Sequence, residues 1–122
     1  MTLPLPKTVP PTTMRLAQCI RLKPGALAEY RALHDAVWPE VRAALSAAHI
    51  HRYSISLLQD ERGDTLFATL DYSGQDWEAD QVRLAAAPRL REWAERAIAL
   101  QESWPQGAPG EWRTLTEVFF HV

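Results

Sequence analysis

The spacing of apolar residues changes repeatedly along this chain, and the order of those changes restricts its fold more than any other feature. Met14–Leu22 alternates between apolar and polar residues, as a half-buried strand does. Ile50–Leu58 and Thr65–Tyr72 are rich in strand-forming residues, and the segment around Gly63 between them predicts a hairpin. Arg113–Val122 has the same character and predicts a closing strand.

Two other regions have helical spacing. Between Ala26 and Ala48, apolar and aromatic residues recur every three or four positions: Leu27, Tyr30, His34, Val37, Val41 and Leu45. Pro39 disfavours a helical Trp38 and removes a hydrogen bond, so we expect a kink or break there. Asp76 is a possible cap for a helix that reaches Ala87, and Pro88 begins another that carries Trp93 and Trp104.

The resulting order is strand, helix, strand, strand, helix, strand. This is the ferredoxin-like βαββαβ pattern, an α+β fold in which a four-stranded antiparallel sheet has its helices on one face. The other face is left uncovered, and an apolar uncovered sheet needs a partner. We therefore expect a homodimer formed through the sheet faces.

Length and composition point to one domain that folds unaided. The 122 residues have ordinary globular composition, with 47% hydrophobic and 23% charged residues. Four prolines in Met1–Thr13 oppose helix formation, so we expect a mobile or extended tail at residues 1–13 and a single domain at residues 14–122.

Charge and cysteine content exclude several classes of protein. A net charge of -2 gives no positive field for nucleic acid or anionic lipid, so neither is an expected partner. Cys19 is the single cysteine, which excludes an internal disulfide and a Cys-rich zinc module and fits a reducing cytoplasm. No apolar run is long enough to span a bilayer, and no signal peptide is evident.

Tyr30, His34 and Trp38 are spaced four apart on the first predicted helix and share a surface. An amphipathic helix with a packed histidine explains this spacing. A proton-transfer site explains it too, because imidazole titrates near neutrality and a phenol supplies a polar tip on a rigid ring. Such a pair suits a small polyol.

The second strand carries Tyr53 on the predicted face of His51, Ile55 and Leu57, where its hydroxyl needs a partner if that face is covered. The pair His49 and His51 lacks a third ligand, so no metal site is expected.

Three further residues have both a structural and a functional interpretation. Trp93, on the last helix, is either packed or suited to stacking on a sugar ring. Glu117 lies in an apolar strand and either faces solvent or meets a partner in the site. Cys19 resembles a packed hydrophobe rather than a nucleophile.

The chain has no phosphate loop, serine elbow or paired-cysteine motif. Cofactor-free proton transfer and simple binding therefore remain.

The segment Glu29–Val41 resembles the E-Y-x-x-x-H-x-x-x-W-P-E element of the L-rhamnose mutarotases. His51–Ile55, Leu66–Ala68 and Leu115–Phe119 resemble the second, third and last strands of that family, in the same order. The resemblance covers nearly all of Met14–Val122.

The resemblance implies a ferredoxin-like dimer, also described as a dimeric α+β barrel, that interconverts the anomers of L-rhamnose or a similar 6-deoxyhexose without a cofactor. It implies that His34 is the catalytic proton donor, that Tyr30 and Tyr53 contact the sugar, and that Trp93 lines the pocket. Glu92 stands where the family has a second tryptophan. The general base stays open among Glu117, Glu92 and a bound water.

Two alternatives come from other classes of protein. One is a ferredoxin-like binding or stress-type domain without turnover, and the other is a cofactor-independent monooxygenase of related architecture. Convergence of Tyr30, His34 and Tyr53 on one cavity would favour catalysis over binding alone.

Overall fold

The computed structural model describes residues 13–121. The predicted tail, apart from Thr13, therefore lies outside the described residues. The strands are β1 (Met14–Leu22), β2 (Ile50–Asp60), β3 (Gly63–Tyr72), β4 (Gln101–Glu102) and β5 (Arg113–Thr114). The helices are α1 (Leu27–Asp35), α2 (Pro39–Ala47), α3 (Trp77–Ala86) and α4 (Pro88–Ala99).

The sheet has the predicted ferredoxin-like arrangement. Its order is β2-β3-β1-β4, with β5 also paired to β1, and every pairing is antiparallel. Each crossover contains two helices, α1 with α2 and α3 with α4. Alternate residues of β1 and β3 are buried with helix residues in two apolar clusters, so the helices cover one face of the sheet.

The first helical region breaks where the sequence predicts it. Trp38 is extended, with φ -61° and ψ 139°, and Pro39 occupies the first turn of α2. Proline is well suited to this position because the amide that it lacks would have no helical partner there. Asp76 caps α3 by accepting from the Ala79 amide at 3.1 Å, as predicted.

The last strand differs from the prediction. Only Arg113–Thr114 forms a strand, followed by one further bond from the Leu115 amide to Ala17. Residues 115–121 have no regular secondary structure, and Val118 and Phe119 are 96% and 81% exposed. Strand propensity depends on packing against neighbours, and these exposed residues have little to pack against.

Two other expectations need correction. Trp104 does not lie on a helix, because α4 ends at Ala99 and Trp104 follows β4. An irregularity between His51 and Ser54, where Arg52 has φ 49°, shifts the register of β2. One extra residue reverses the alternation. Ile50 is consequently buried while His51 is exposed, and His51 does not follow Tyr53 onto the inner face.

None of the helices within residues 13–121 has the length and apolar character needed to cross a bilayer.

Candidate active site

A cavity of about 1070 Å³ lies between the helices and the inner face of the sheet. The four predicted site residues all line it: Tyr30 and His34 from α1, Tyr53 from β2 and Trp93 from α4. We call these four residues the His34 cluster. Residues far apart in the chain therefore meet at one cavity, which is the arrangement that the sequence analysis associated with catalysis.

The His34 imidazole has a defined tautomer. Its Nδ1 lies 2.8 Å from the backbone carbonyl oxygen of Tyr30, one helical turn earlier. A carbonyl can only accept, so Nδ1 carries the proton and donates it to this bond. The neutral ring consequently keeps the lone pair on Nε2 for a ligand.

Burial lowers the pKa of His34, and the Tyr30 carbonyl and the Asp35 charge only partly oppose that effect. The imidazole is thus predominantly neutral at pH 7. Its resting form is a proton acceptor.

Two aromatic rings fix the orientation of this imidazole. The Tyr30 ring stacks on it at 4.3 Å with an interplanar angle of 26°. The Trp93 ring meets it edge to face at 4.8 Å and 72°. Such contacts add to the stability of a packed pair. The ring is held between α1 and α4 rather than left free to rotate.

Each phenol has a buried glutamine as its partner. Gln101 Nε2 donates to the Tyr30 hydroxyl at 3.4 Å, and Tyr53 forms a hydrogen bond with Gln18. Burial raises the pKa of both Tyr30 and Tyr53, so both hydroxyls stay protonated at neutral pH. Neither glutamine was among the predicted site residues, although Gln18 occupies an inward position of β1 that the strand alternation could have indicated.

Two polar atoms that belong to Trp93 and to the glutamine partner of Tyr30 are buried without a hydrogen-bond partner within residues 13–121. They are Trp93 Nε1, a donor, and Gln101 Oε1, an acceptor. Buried polar atoms are normally paired, and exceptions often mark a place where a ligand or water binds. A donor of Trp93 and an acceptor of Gln101 are therefore unused by any residue within 13–121.

The two candidate carboxylates do not line this cavity. Glu117 is exposed and pairs with Arg15 at 3.4 Å. Glu92 pairs with Arg89 at 2.8 Å and with Arg96 at 3.4 Å. Neither carboxylate is positioned in this chain to act on a ligand beside His34.

Trp38 also lies outside the cavity, although its spacing suggested a surface shared with His34. The helix break turns it outward, where the Arg89 and Arg96 guanidinium groups lie 4.0 and 4.9 Å from its ring centre. Glu92 thus belongs to a surface network over Trp38, in the place where the resemblance had suggested a second tryptophan.

A second histidine and tyrosine flank the buried carboxylate of Asp80. The Tyr72 hydroxyl donates to Asp80 Oδ2 at 2.5 Å, His49 Nδ1 donates to the same oxygen at 3.1 Å, and Arg83 lies 3.5 Å from Oδ1. We call His49, Tyr72 and Asp80 the Asp80 cluster. Burial opposes ionisation of Asp80, but these partners outweigh it and lower its pKa.

His49 is therefore committed to a carboxylate, and His51 is exposed. Within residues 13–121, no group of three or more histidine, cysteine or acidic side chains is arranged to hold a metal ion.

Comparison with known proteins identifies the family. A family model described as L-rhamnose mutarotase matches residues 15–121. The chain belongs to the L-rhamnose mutarotase family. The L-rhamnose mutarotase of Listeria monocytogenes serotype 4b is 35% identical over 106 residues, which are 87% of this chain and 96% of that protein.

Solved structures agree with this membership. The L-rhamnose mutarotase from Formosa agariphila has a TM-score of 0.68 at 29% identity, covering 89% of this chain and 99% of its own. A dimeric ferredoxin-like protein from an uncultured marine organism, 13% identical, has a TM-score of 0.55 over 91% of this chain and 94% of its own, and shares the fold alone. Members of the L-rhamnose mutarotase family are isomerases that act on carbohydrates. Membership therefore disfavours both the non-catalytic domain and the monooxygenase.

Proposed function

We propose that this chain interconverts the α and β anomers of L-rhamnose or a similar 6-deoxyhexose. The observation that carries the proposal is the His34 cluster, in which a neutral imidazole with an available Nε2 and two protonated phenols line one cavity. The L-rhamnose mutarotases of Listeria monocytogenes and Formosa agariphila, to which the chain is similar, support it.

Ring opening requires a proton to leave the anomeric hydroxyl and a proton to reach the ring oxygen. In the proposed reaction, Nε2 of His34 takes the proton from the hydroxyl on C1 while the bond between C1 and the ring oxygen breaks. The imidazolium then returns that proton to the ring oxygen. This leaves an aldehyde at C1, which rotates and closes on its other face by the same steps in reverse.

His34 is thus both acceptor and donor. The resemblance assigned it the donor role, and the lowered pKa adds that it accepts first. Neither Glu92 nor Glu117 is needed as the base.

The other groups orient the sugar in this proposal. The Tyr30 and Tyr53 hydroxyls, held by Gln101 and Gln18, are suited to donate to the ring oxygen and its neighbouring hydroxyls. Trp93 offers an apolar wall and an indole N–H donor. Holding the acyclic aldehyde near His34 keeps re-closure within the site. No step in this sequence requires a cofactor.

Exchange NMR on the anomeric protons tests the activity. We expect the purified protein to accelerate exchange between the two anomers of L-rhamnose above the buffer rate. An unchanged rate across a panel of 6-deoxyhexoses would contradict the proposal.

The chain is also proposed to form a homodimer through its uncovered sheet face. Val118, Phe119 and Phe120 are exposed beyond β5, and the Arg15 guanidinium on the outer face of β1 lies 3.6 Å from the Phe120 ring centre. Exposed apolar surface of this kind marks an interface. A second copy would cover it.

Light scattering after size exclusion measures the assembly. We expect the wild-type mass to be that of two chains, and Phe119→Asp, which places a charge on the apolar segment, to shift it toward one chain. The same mass for both proteins would contradict the proposed interface. A cytoplasmic location stays a prediction.

A further inference from the structure

The cavity extends beyond the His34 cluster toward α3. Tyr53 packs against both apolar clusters: Tyr30 belongs to one, against which Trp93 also packs, and Leu84 of α3 belongs to the other. Because Leu84 and Gln81 both line the cavity, it continues past Tyr53 to the α3 wall. A volume of about 1070 Å³ is slightly above the roughly 300–1,000 Å³ that is usual for pockets of drug-sized ligands. Such ligands are larger than a single pyranose.

Gln81 is an anomaly in this wall. Its Oε1 and Nε2 atoms are both inaccessible to solvent, and neither has a hydrogen-bond partner within residues 13–121. A primary amide has two donor hydrogens and an acceptor oxygen, so the whole polar end of the side chain is left unsatisfied. Such burial destabilises a protein unless something pairs with the amide.

The other glutamines of the site do not share this condition. Gln101 Nε2 is occupied by Tyr30, and Gln18 bonds with Tyr53. These two side chains support the phenols. Gln81 supports no described side chain through a hydrogen bond.

We propose that Gln81 is a substrate-binding residue whose amide, buried in the sugar-free chain, turns into the cavity when the sugar binds and determines specificity by pairing with two adjacent hydroxyls of the sugar, away from C1. The inference rests on the proposed function. An amide that offers an acceptor beside a donor matches neighbouring hydroxyls, one donating to Oε1 and the other accepting from Nε2. His34 requires C1 and the ring oxygen on the α1 side, so the hydroxyls on the remaining carbons are the ones that can face α3.

This role has a signature that a structural role lacks. Gln81→Met keeps the length and the helix propensity of the side chain and removes its polar atoms. Since the amide is unsatisfied without ligand, the variant should unfold at a Tm a few degrees higher. It should also raise the KM for L-rhamnose about 3- to 10-fold with kcat within about twofold of wild type. A variant that is more stable than wild type but binds the sugar more weakly would show that the Gln81 amide serves the ligand rather than the fold.

The 2-, 3- and 4-deoxy analogues of L-rhamnose identify the hydroxyls. Wild type should bind two of these analogues, whose missing hydroxyls are on adjacent carbons, more weakly than it binds L-rhamnose. Gln81→Met should bind the same two analogues almost as well as it binds L-rhamnose. Binding is measured by titration calorimetry, independently of turnover. Gln59→Met is the matched control, because Gln59 is exposed and bonds only Asp64 in the described structure.

The outcomes separate the two proposals. Sugar binding without anomer exchange in wild type would overturn the proposed function alone, while the Gln81 comparison would still proceed by calorimetry. An unchanged KM and Kd in Gln81→Met, with or without a higher Tm, would overturn the Gln81 proposal and point to an ordered water on the amide. No sugar binding in wild type would overturn both. Gln81→Leu replaces the methionine variant if that variant does not fold.

Discussion

The His34 cluster and the Asp80 cluster are built from similar residues but differ in how completely their polar atoms are paired. Each places a histidine and a tyrosine between helices and the same sheet. In the Asp80 cluster, both carboxylate oxygens and the Tyr72 hydroxyl have partners. In the His34 cluster, the buried indole N–H of Trp93 has none within residues 13–121, and neither has Oε1 of Gln101, the partner of Tyr30.

This difference distinguishes a hydrogen-bond network that stabilises the fold from a candidate site for a ligand. In the Asp80 cluster, Tyr72 and Asp80 are bonded directly to each other, and Gly74 packs so tightly against them that a Cβ there would collide with both. Its hydrogen bonds join β3 to α3 and to the residue before β2. The Trp93 indole N–H of the His34 cluster has no partner within residues 13–121, which fits the proposal that a ligand binds there. Variants in the His34 cluster should therefore mainly lower activity, and variants in the Asp80 cluster should mainly lower stability.

The largest expected effect is on catalysis. His34→Ala should lower the catalysed exchange rate about 10²- to 10⁴-fold, because the group proposed to carry the proton is gone. The unfolding midpoint should change little, since the ring is only half-buried. His49→Ala, which removes a histidine from the other cluster, should retain near-wild-type exchange. Anomer-exchange NMR with thermal unfolding measures both, and full activity in His34→Ala would contradict the mechanism.

The next effect is on stability. Asp80→Ala leaves the buried Tyr72 hydroxyl without its acceptor, which should cost roughly 1–3 kcal/mol of unfolding free energy. Urea denaturation measures the cost. Exchange should persist wherever the variant is folded, and loss of exchange in the folded variant would show that the clusters are coupled.

The Asp80 carboxylate also gives this stability a pH dependence. Its pKa is lower in the folded chain than the ordinary 3.8. Its contribution is therefore present above the unfolded value and is lost as the pH falls through the folded value. Asp80→Ala should reduce that acid-induced loss.

A smaller effect concerns the pH profile of catalysis. Because burial lowers the pKa of His34 below 6.5, the acceptor form prevails through neutral pH. The catalysed kcat/KM should stay level from pH 8 to about 6.5 and then fall toward tenfold per pH unit below the pKa of His34. Buffer-subtracted exchange rates measure this profile. A fall that begins above 6.5 would contradict the assigned environment.

The smallest effect is expected at Glu92. Glu92→Gln should change exchange by less than about twofold, because the carboxylate does not line the cavity. It should cost about 0.2–1 kcal/mol through the exposed pairs with Arg89 and Arg96. A large loss of activity would restore Glu92 as the general base.

Local rules predicted much of the fold. The limits of β1, the break at Trp38, the Asp76 cap and the hairpin near Gly63 each depend on neighbouring residues, and each is confirmed. The predictions were wrong for most of Arg113–Val122, for Trp104 and for the face of His51. Those depend on pairing and register, which the local composition of a segment does not specify.

By itself, the sequence determined the order of the elements and the motif that contains Tyr30 and His34, because helical periodicity, proline and caps act over a few residues. Only the tertiary structure decided that Tyr53 and Trp93 join them, that Glu92 and Glu117 do not, and that Gln81 has an unpaired amide. Whether a polar atom is paired depends on which distant backbone and side chains reach it. Chain packing, rather than local propensity, decides that.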